Sequence, residues 1–135
     1  MATRTAAQMR EQAKVEYDAY LAACPSRQLL DRISDKWVGL VLSALAGGPL
    51  RYGELGRIIA GVSPKMLTQT LRGLERDGLV ERRVTPTVPV RVDYELTELG
   101  RSLLPVMRAI KSWAEQHMDL VNAARAEYDA APATA

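Results

Sequence analysis

The apolar positions change their period along the chain in a definite order. Met9, Ala13, Tyr17, Tyr20 and Leu21 recur three and four residues apart, which predicts an amphipathic helix with charged flanks. Pro25 interrupts it, and Ser26 reads as the N-cap of a short second helix carrying Leu29, Leu30 and Ile33. The segment WVGLVLSALA (37–46) is apolar nearly all round, as a helix buried at the centre of a fold would be, and Gly47, Gly48 and Pro49 end it. In RYGELGRIIAG (51–61), Tyr52, Leu55, Ile58 and Ile59 share one side, predicting a short amphipathic helix closed by Gly61. Ser63 then caps the next helix with Pro64 at its first position, Leu67, Leu71 and Leu74 face inward, and Gly78 stops it. Two helices separated by a turn of about three residues form a helix-turn-helix.

Beyond Gly78 the period falls to two. LVERRV (79–84) and RVDYEL (91–96) have strand composition, and in the second Val92, Tyr94 and Leu96 point inward while Arg91, Asp93 and Glu95 point outward. The linker TPTVPV (85–90) holds two prolines, which cannot extend a sheet, so the pair reads as a hairpin with a stiff, exposed tip. Thr97 caps a long helix in which Leu103, Leu104, Met107, Ile110, Ala114, His117, Met118 and Val121 keep helical register, with Pro105 expected to kink it. The segment AARAEYDAAPATA (123–135) is alanine-rich with no apolar stripe, and a partly disordered tail is expected over 121–135. Helix, helix-turn-helix, hairpin, long helix is the order of a winged helix-turn-helix: mainly α, with a small β-hairpin wing.

A compact domain of this kind leaves the first helix without a partner, and the last helix carries more apolar surface than a small sheet covers. Exposed stripes of that sort mark an interface. Met9, Ala13, Tyr17 and Tyr20 on the first helix and Ile110, Trp113 and His117 on the last are therefore the expected homodimer contacts. The chain divides into an N-terminal dimerisation helix (1–23), a winged helix-turn-helix domain that includes the C-terminal dimerisation helix (24–120), and the tail.

Composition narrows the function. At 135 residues, 47% apolar and 25% charged, the chain suits one globular domain, and it lacks the run of about 18 apolar residues that a membrane span requires. The N-terminus has no uninterrupted apolar core of signal-peptide length, so a cytoplasmic location is expected, with no membrane partner. One cysteine and one histidine cannot build a disulfide framework or a four-ligand zinc site, and no metal or cofactor is expected. No HExxH is present, and GGPLRYGELG lacks the lysine of a phosphate-binding loop and follows a helix, so an enzyme is not expected. The net charge of +2 hides an asymmetry: residues 51–91 hold 8 basic and 4 acidic side chains, whereas residues 92–135 hold 4 and 7. A basic middle segment is the footprint of a polyanion-binding surface.

That segment contains a second stripe. At 100° per residue, Lys65, Thr68, Gln69, Arg72 and Arg76 lie within about a third of a turn of one another, opposite the leucines. The bland explanation is a solvated helix face. In a helix-turn-helix followed by a basic hairpin, however, these residue types suit double-stranded DNA: Lys and Arg contact guanine edges or phosphates, and Gln pairs with adenine. The free amides near Ser63 are placed to hold a phosphate. Arg51 before the first of the two helices, and Arg83 and Arg91 flanking the hairpin tip, complete the expected contact set. A two-fold dimer would set its recognition helices about 34–36 Å, or a multiple of that, apart on a palindromic operator.

The segments RYGEL, SPKMLTQTLRGLERDGLVERR and DYELTELGRSL, in that order, resemble the HxlR-type family of bacterial winged-helix transcriptional regulators, over about residues 24–118. The resemblance implies a homodimer joined by its terminal helices, whose recognition helix starts at Ser63; a repressor is the expected function, although the sequence does not give the sign of regulation. The wing departs from the family's Pro-Pro-Arg run, with Val88, Pro89, Val90 and Arg91. The residues around Cys24 fit two readings, a small buried apolar side chain or a thiolate favoured by a helix N-terminus and Arg27. The resemblance adds that a single cysteine before the first core helix controls DNA binding in several relatives through oxidation or alkylation, including a disulfide between subunits. An oxidant or electrophile is then the inducer. The alternatives are a small-molecule effector at the dimer interface and a winged-helix protein-interaction adaptor.

Overall fold

Residues 3–132 are described by the structure, a computed structural model of the chain. Its helices are α1 (Ala6–Ala23), α2 (Pro25–Ile33), α3 (Lys36–Leu45), α4 (Tyr52–Ile58), α5 (Pro64–Arg76) and α6 (Glu98–Ala130), and its strands are β1 (Leu50–Arg51), β2 (Val80–Thr85) and β3 (Arg91–Leu96). The sheet is antiparallel with β3 in the middle, in the order β1-β3-β2. This is the mainly helical winged helix-turn-helix expected. It includes one strand the pattern did not predict: β1 is two residues long and has no room for an alternation.

The core forms where the inward stripes meet. Val38, Val41, Leu42 and Leu45 of α3 pack with Leu55 and Ile59 around α4, with Leu67, Leu71 and Leu74 of α5, and with Val80, Leu96 and Leu104. Helix α3 is buried along one side only, since Leu40 and Ser43 face outward. In α4 one of the four expected apolar contacts fails: the helix ends at Ile58, which is 58% exposed, while Ile59 turns inward as expected.

Capping chemistry sets the boundaries. Thr5 and Gln8 form a reciprocal capping box at α1, and Asp35 accepts the Trp37 amide at 2.8 Å to start α3. Ser63 accepts the Met66 amide at 3.1 Å, with Pro64 at the first helical position, as the sequence predicts. Ser26 is not a cap. Cys24 occupies the cap position of α2, because Pro25, with its fixed φ and missing amide, takes the first helical position and Ser26 falls inside the helix. Gly78, at φ +76, ends α5 and lets the Leu79 amide reach back to the Leu74 carbonyl at 2.9 Å.

Thr97 joins the wing to α6. Its hydroxyl accepts the Gly100 amide at 3.0 Å and donates to the Gly78 carbonyl at 2.6 Å, tying the start of α6 to the end of α5. Helix α6 continues through Pro105 and on to Ala130. The tail expected from residue 121 is thus helical over most of its length, and residues 133–135 lie outside the described residues. The apolar stripe continues as Val121, Ala124 and Tyr128 at helical spacing.

Candidate nucleic-acid interface

Helix α5 divides its surface between two tasks. Leu67, Leu71 and Leu74 are buried, and on the opposite side Lys65, Gln69, Arg72 and Arg76 are exposed. Over the ~16 Å from residue 65 to residue 76 this gives a row of donors about the length of a groove segment. No ion pair among the described residues engages Lys65, Arg72 or Arg76.

Thr68 belongs to the same face but is half-buried and committed. The Tyr52 phenol donates to the Pro64 carbonyl at 2.9 Å and lies 3.2 Å from the Thr68 hydroxyl. Since the phenol has a single proton, the Thr68 hydroxyl donates the second bond. Tyr52 therefore clamps α4 to the first turns of α5, and Thr68 helps fix the angle between the two helices.

Strand register assigns the wing cations to different faces. Val80 pairs with Leu96, Arg82 with Tyr94 and Leu50 with Tyr94, so these side chains share the face packed against α5. Arg51 and Arg83 both pair with Asp93, and Thr85 with Arg91, which places Arg51, Arg83 and Arg91 on the other face. There the carboxylates take up two of the expected DNA contacts. Arg91 Nε lies 3.0 Å from Asp93, and Arg83 reaches Glu95 at 3.4 Å and Glu81 at 3.6 Å. Asp93 and Glu95, expected to point freely outward, are half-buried among these partners. Arg51 contributes its backbone amide to Glu54 at 3.1 Å, and its side chain borders an open cleft of about 560 Å³ with Arg57 and Arg91.

Arg82 and Arg57 were missed as site candidates. For Arg82 the signal was present: once Val80 is buried, a period of two puts residue 82 on the same face. It lines a cleft of about 320 Å³ between α5 and the sheet with Thr68, Leu71, Arg72, Glu75 and Tyr94.

Cys24 sits at the joint of α1 and α2, half-buried. The nearby backbone amide of Arg27, then that of Ser26, holds the thiol below its usual pKa, against a smaller opposing effect of burial. The sequence reading credited the Arg27 cation; the Arg27 contribution comes from its backbone amide.

The expected dimer residues lie on two helices, α1 and α6. Helix α1 buries none of its residues, and Met9, Tyr17 and Tyr20 are 59%, 61% and 70% exposed beside Ala13. On α6, Ile110 and Trp113 are exposed, and His117 stacks on Trp113 at 4.7 Å while its Nδ1 donates to the Trp113 carbonyl at 2.9 Å.

A model of the HxlR-like helix-turn-helix family matches residues 32–122. The uncharacterized HTH-type transcriptional regulator YtfH of Escherichia coli (strain K12) is 40% identical over 112 residues, covering 83% of this chain and 89% of that one. The HTH-type transcriptional regulator YodB of Bacillus subtilis (strain 168) is 38% identical over 94 residues, covering 69% and 84%. Among solved structures, the redox regulator HypR in its reduced form superposes with a TM-score of 0.70 at 39% identity, covering 74% of this chain and 99% of that one. The reduced form of YodB superposes with a TM-score of 0.64 at 38% identity, covering 70% and 93%. The chain belongs to the HxlR-like helix-turn-helix family and is a DNA-binding transcriptional regulator of the winged-helix kind.

Proposed function

We propose that the chain acts as a homodimeric repressor that reads a palindromic operator with α5 and releases it when Cys24 is oxidised or alkylated. The observation that carries the DNA reading is the split of α5 into a buried leucine stripe and an opposite face where Lys65, Gln69 and Arg72 are exposed. Gln69 suits an adenine edge and Arg72 a guanine edge, while Lys65 and the amides after Ser63 suit phosphate. The unburied faces of α1 and α6 support the dimer. Helix α6 leaves the core after Met107 and runs on to Ala130, so a partner would cover several turns of it.

Thiol control is supported by the position of Cys24, by its lowered pKa and by the kinship with the redox regulator HypR. In one route the thiolate adds to an electrophile. In the other, two Cys24 thiols, one per subunit, give two protons and two electrons to an oxidant and form one disulfide. Either product enlarges the joint between α1, half of the proposed dimer contact, and α2, which leads into the core.

In vitro selection from random duplexes tests the first part. The expected result is a palindrome with half-sites about one helical turn, or a multiple, apart; recovery of no enriched sequence would overturn it. Anisotropy titration of that duplex with reduced and oxidant-treated protein, beside Cys24→Ser, tests the second. Oxidation should weaken binding by the parent chain only, and a reporter driven from the operator should rise. Equal affinity before and after oxidation would leave the regulator and remove the thiol switch.

A further inference from the structure

We infer that Arg82, at the base of the wing, holds a phosphate of the DNA backbone beside α5, and that its neighbour Arg83 braces the sheet. The inference rests on α5 being the DNA-reading helix. Adjacent arginines in one strand point to opposite faces. Arg82 is exposed on the face that packs against α5, and no ion pair among the described residues engages it. Arg83, on the other face, sits between two carboxylates that the register places directly opposite one another, Glu81 and Glu95. Its charge is already matched.

The cleft that Arg82 lines is walled on the helix side by Thr68, Arg72 and Glu75 and on the sheet side by Tyr94. Arg82 and Arg72 against Glu75 leave its mouth with one net positive charge. Arg72 projects from the face that would enter the groove. Arg82 starts from the sheet, and a side chain from there meets the strand bordering that groove. The ligand chemistry is therefore a backbone phosphodiester, read by charge. Tyr94 lines the same cleft from the sheet side, while the Thr68 hydroxyl stays committed to Tyr52.

Each phosphate contact of this kind contributes about 0.9 to the slope of log affinity against log salt. The test is that slope for the parent chain, Arg82→Ala, Arg82→Lys and Arg83→Ala. Each is measured on a fluorescein-labelled duplex carrying the selected operator and on a scrambled duplex, with thermal melts to confirm folding. Arg82→Ala should lower the operator slope by about 0.9 for each Arg82 engaged, or about 1.8 for a dimer on two half-sites, and weaken both duplexes alike. Arg82→Lys should keep most of the slope, because a point charge serves a phosphate. Arg83→Ala should lower the melting temperature and leave the slope unchanged. An unchanged slope in folded Arg82→Ala beside a binding parent chain would overturn the assignment, as would loss confined to the operator, which would make Arg82 a base reader. A parent chain that binds no duplex would remove the DNA reading itself.

Discussion

Substituting Gly100 by alanine should cost stability, although alanine is the better helix former. Gly100 is buried in the first turn of α6, where a Cβ would overlap the Leu79 carbonyl and lie 3.3 Å from a Leu96 methyl. Neither side can yield cheaply. The Leu79 carbonyl accepts the Thr97 amide at 3.1 Å, the Leu79 amide is held by Leu74, and the Gly100 amide is held by Thr97. Overpacking against a fixed backbone is worth up to about 3 kcal/mol. Displacing the start of α6 loosens about 1 kcal/mol of hydrogen bonding, and alanine returns about 1 kcal/mol of helix propensity. We expect a net loss of about 3 kcal/mol, or roughly 10 °C in Tm, by thermal and urea denaturation at matched protomer concentration. Gly73→Ala is the control. It lies in α5 with nothing within 4 Å of an added Cβ, and the same substitution there should stabilise by about 0.5–1 kcal/mol. A Gly100→Ala protein as stable as its parent would refute the claim that this close approach seats α6 on the wing.

Arg83→Ala leaves Glu81 and Glu95 opposed, and should lose up to about 1 kcal/mol in urea denaturation at low salt. Adding Glu81→Gln should recover most of it, and no recovery would show that the pair does not matter. The folded-state pKa of Cys24 is lowered, so the thiolate favours the folded state above the unfolded thiol's pKa, and that contribution fades as pH falls through the folded value. The rate of iodoacetamide alkylation should accordingly rise at lower pH in the native chain than in urea; coincident profiles would show that the amides of Arg27 and Ser26 do not act on the sulfur. Trp113→Asp should raise the dimer dissociation constant at least ~30-fold, or ~2 kcal/mol, by sedimentation equilibrium if the α6 stripe is the interface centre. An unchanged constant would move the interface elsewhere.

Where local chemistry decides, the sequence was sufficient. Ser63 before Pro64, Gly78 after the last leucine and Thr97 before α6 are caps whose side chains or φ angles satisfy specific backbone groups, and each lies where the pattern put it. Ser26 misled because two rules compete within three residues. A serine near a helix start suggests a cap, but proline at the first helical position moves the cap one residue before itself, onto Cys24. The C-terminal helix was cut short for a different reason. Residues 121–130 bury little within one chain, so weighing apolar content missed that Val121, Ala124 and Tyr128 keep the spacing of Ile110, Trp113 and His117. Alanine needs no buried face to favour a helix.

In the wing, the sequence shows the sign of the charges and not their direction. Arg83 and Arg91 flank the tip, yet in a strand the neighbours of a charge across the ladder decide whether it is free. Those neighbours are set by register, which depends on how six residues of β2 meet six of β3 and is not written in either segment alone. One part of the answer needed no register. Burial of Val80 fixes the parity of β2, so residue 82 faces α5 and residue 83 faces away. The helix side of the site escaped this difficulty because a helix supplies its own neighbours: buried Leu67, Leu71 and Leu74 define the face opposite them. Even there, Thr68 shows the limit, since its hydroxyl is committed to Tyr52, sixteen residues away in sequence. Position on a helix face identifies the side chains able to meet DNA, and the contacts made by the rest of the fold decide which of them remain free to do so.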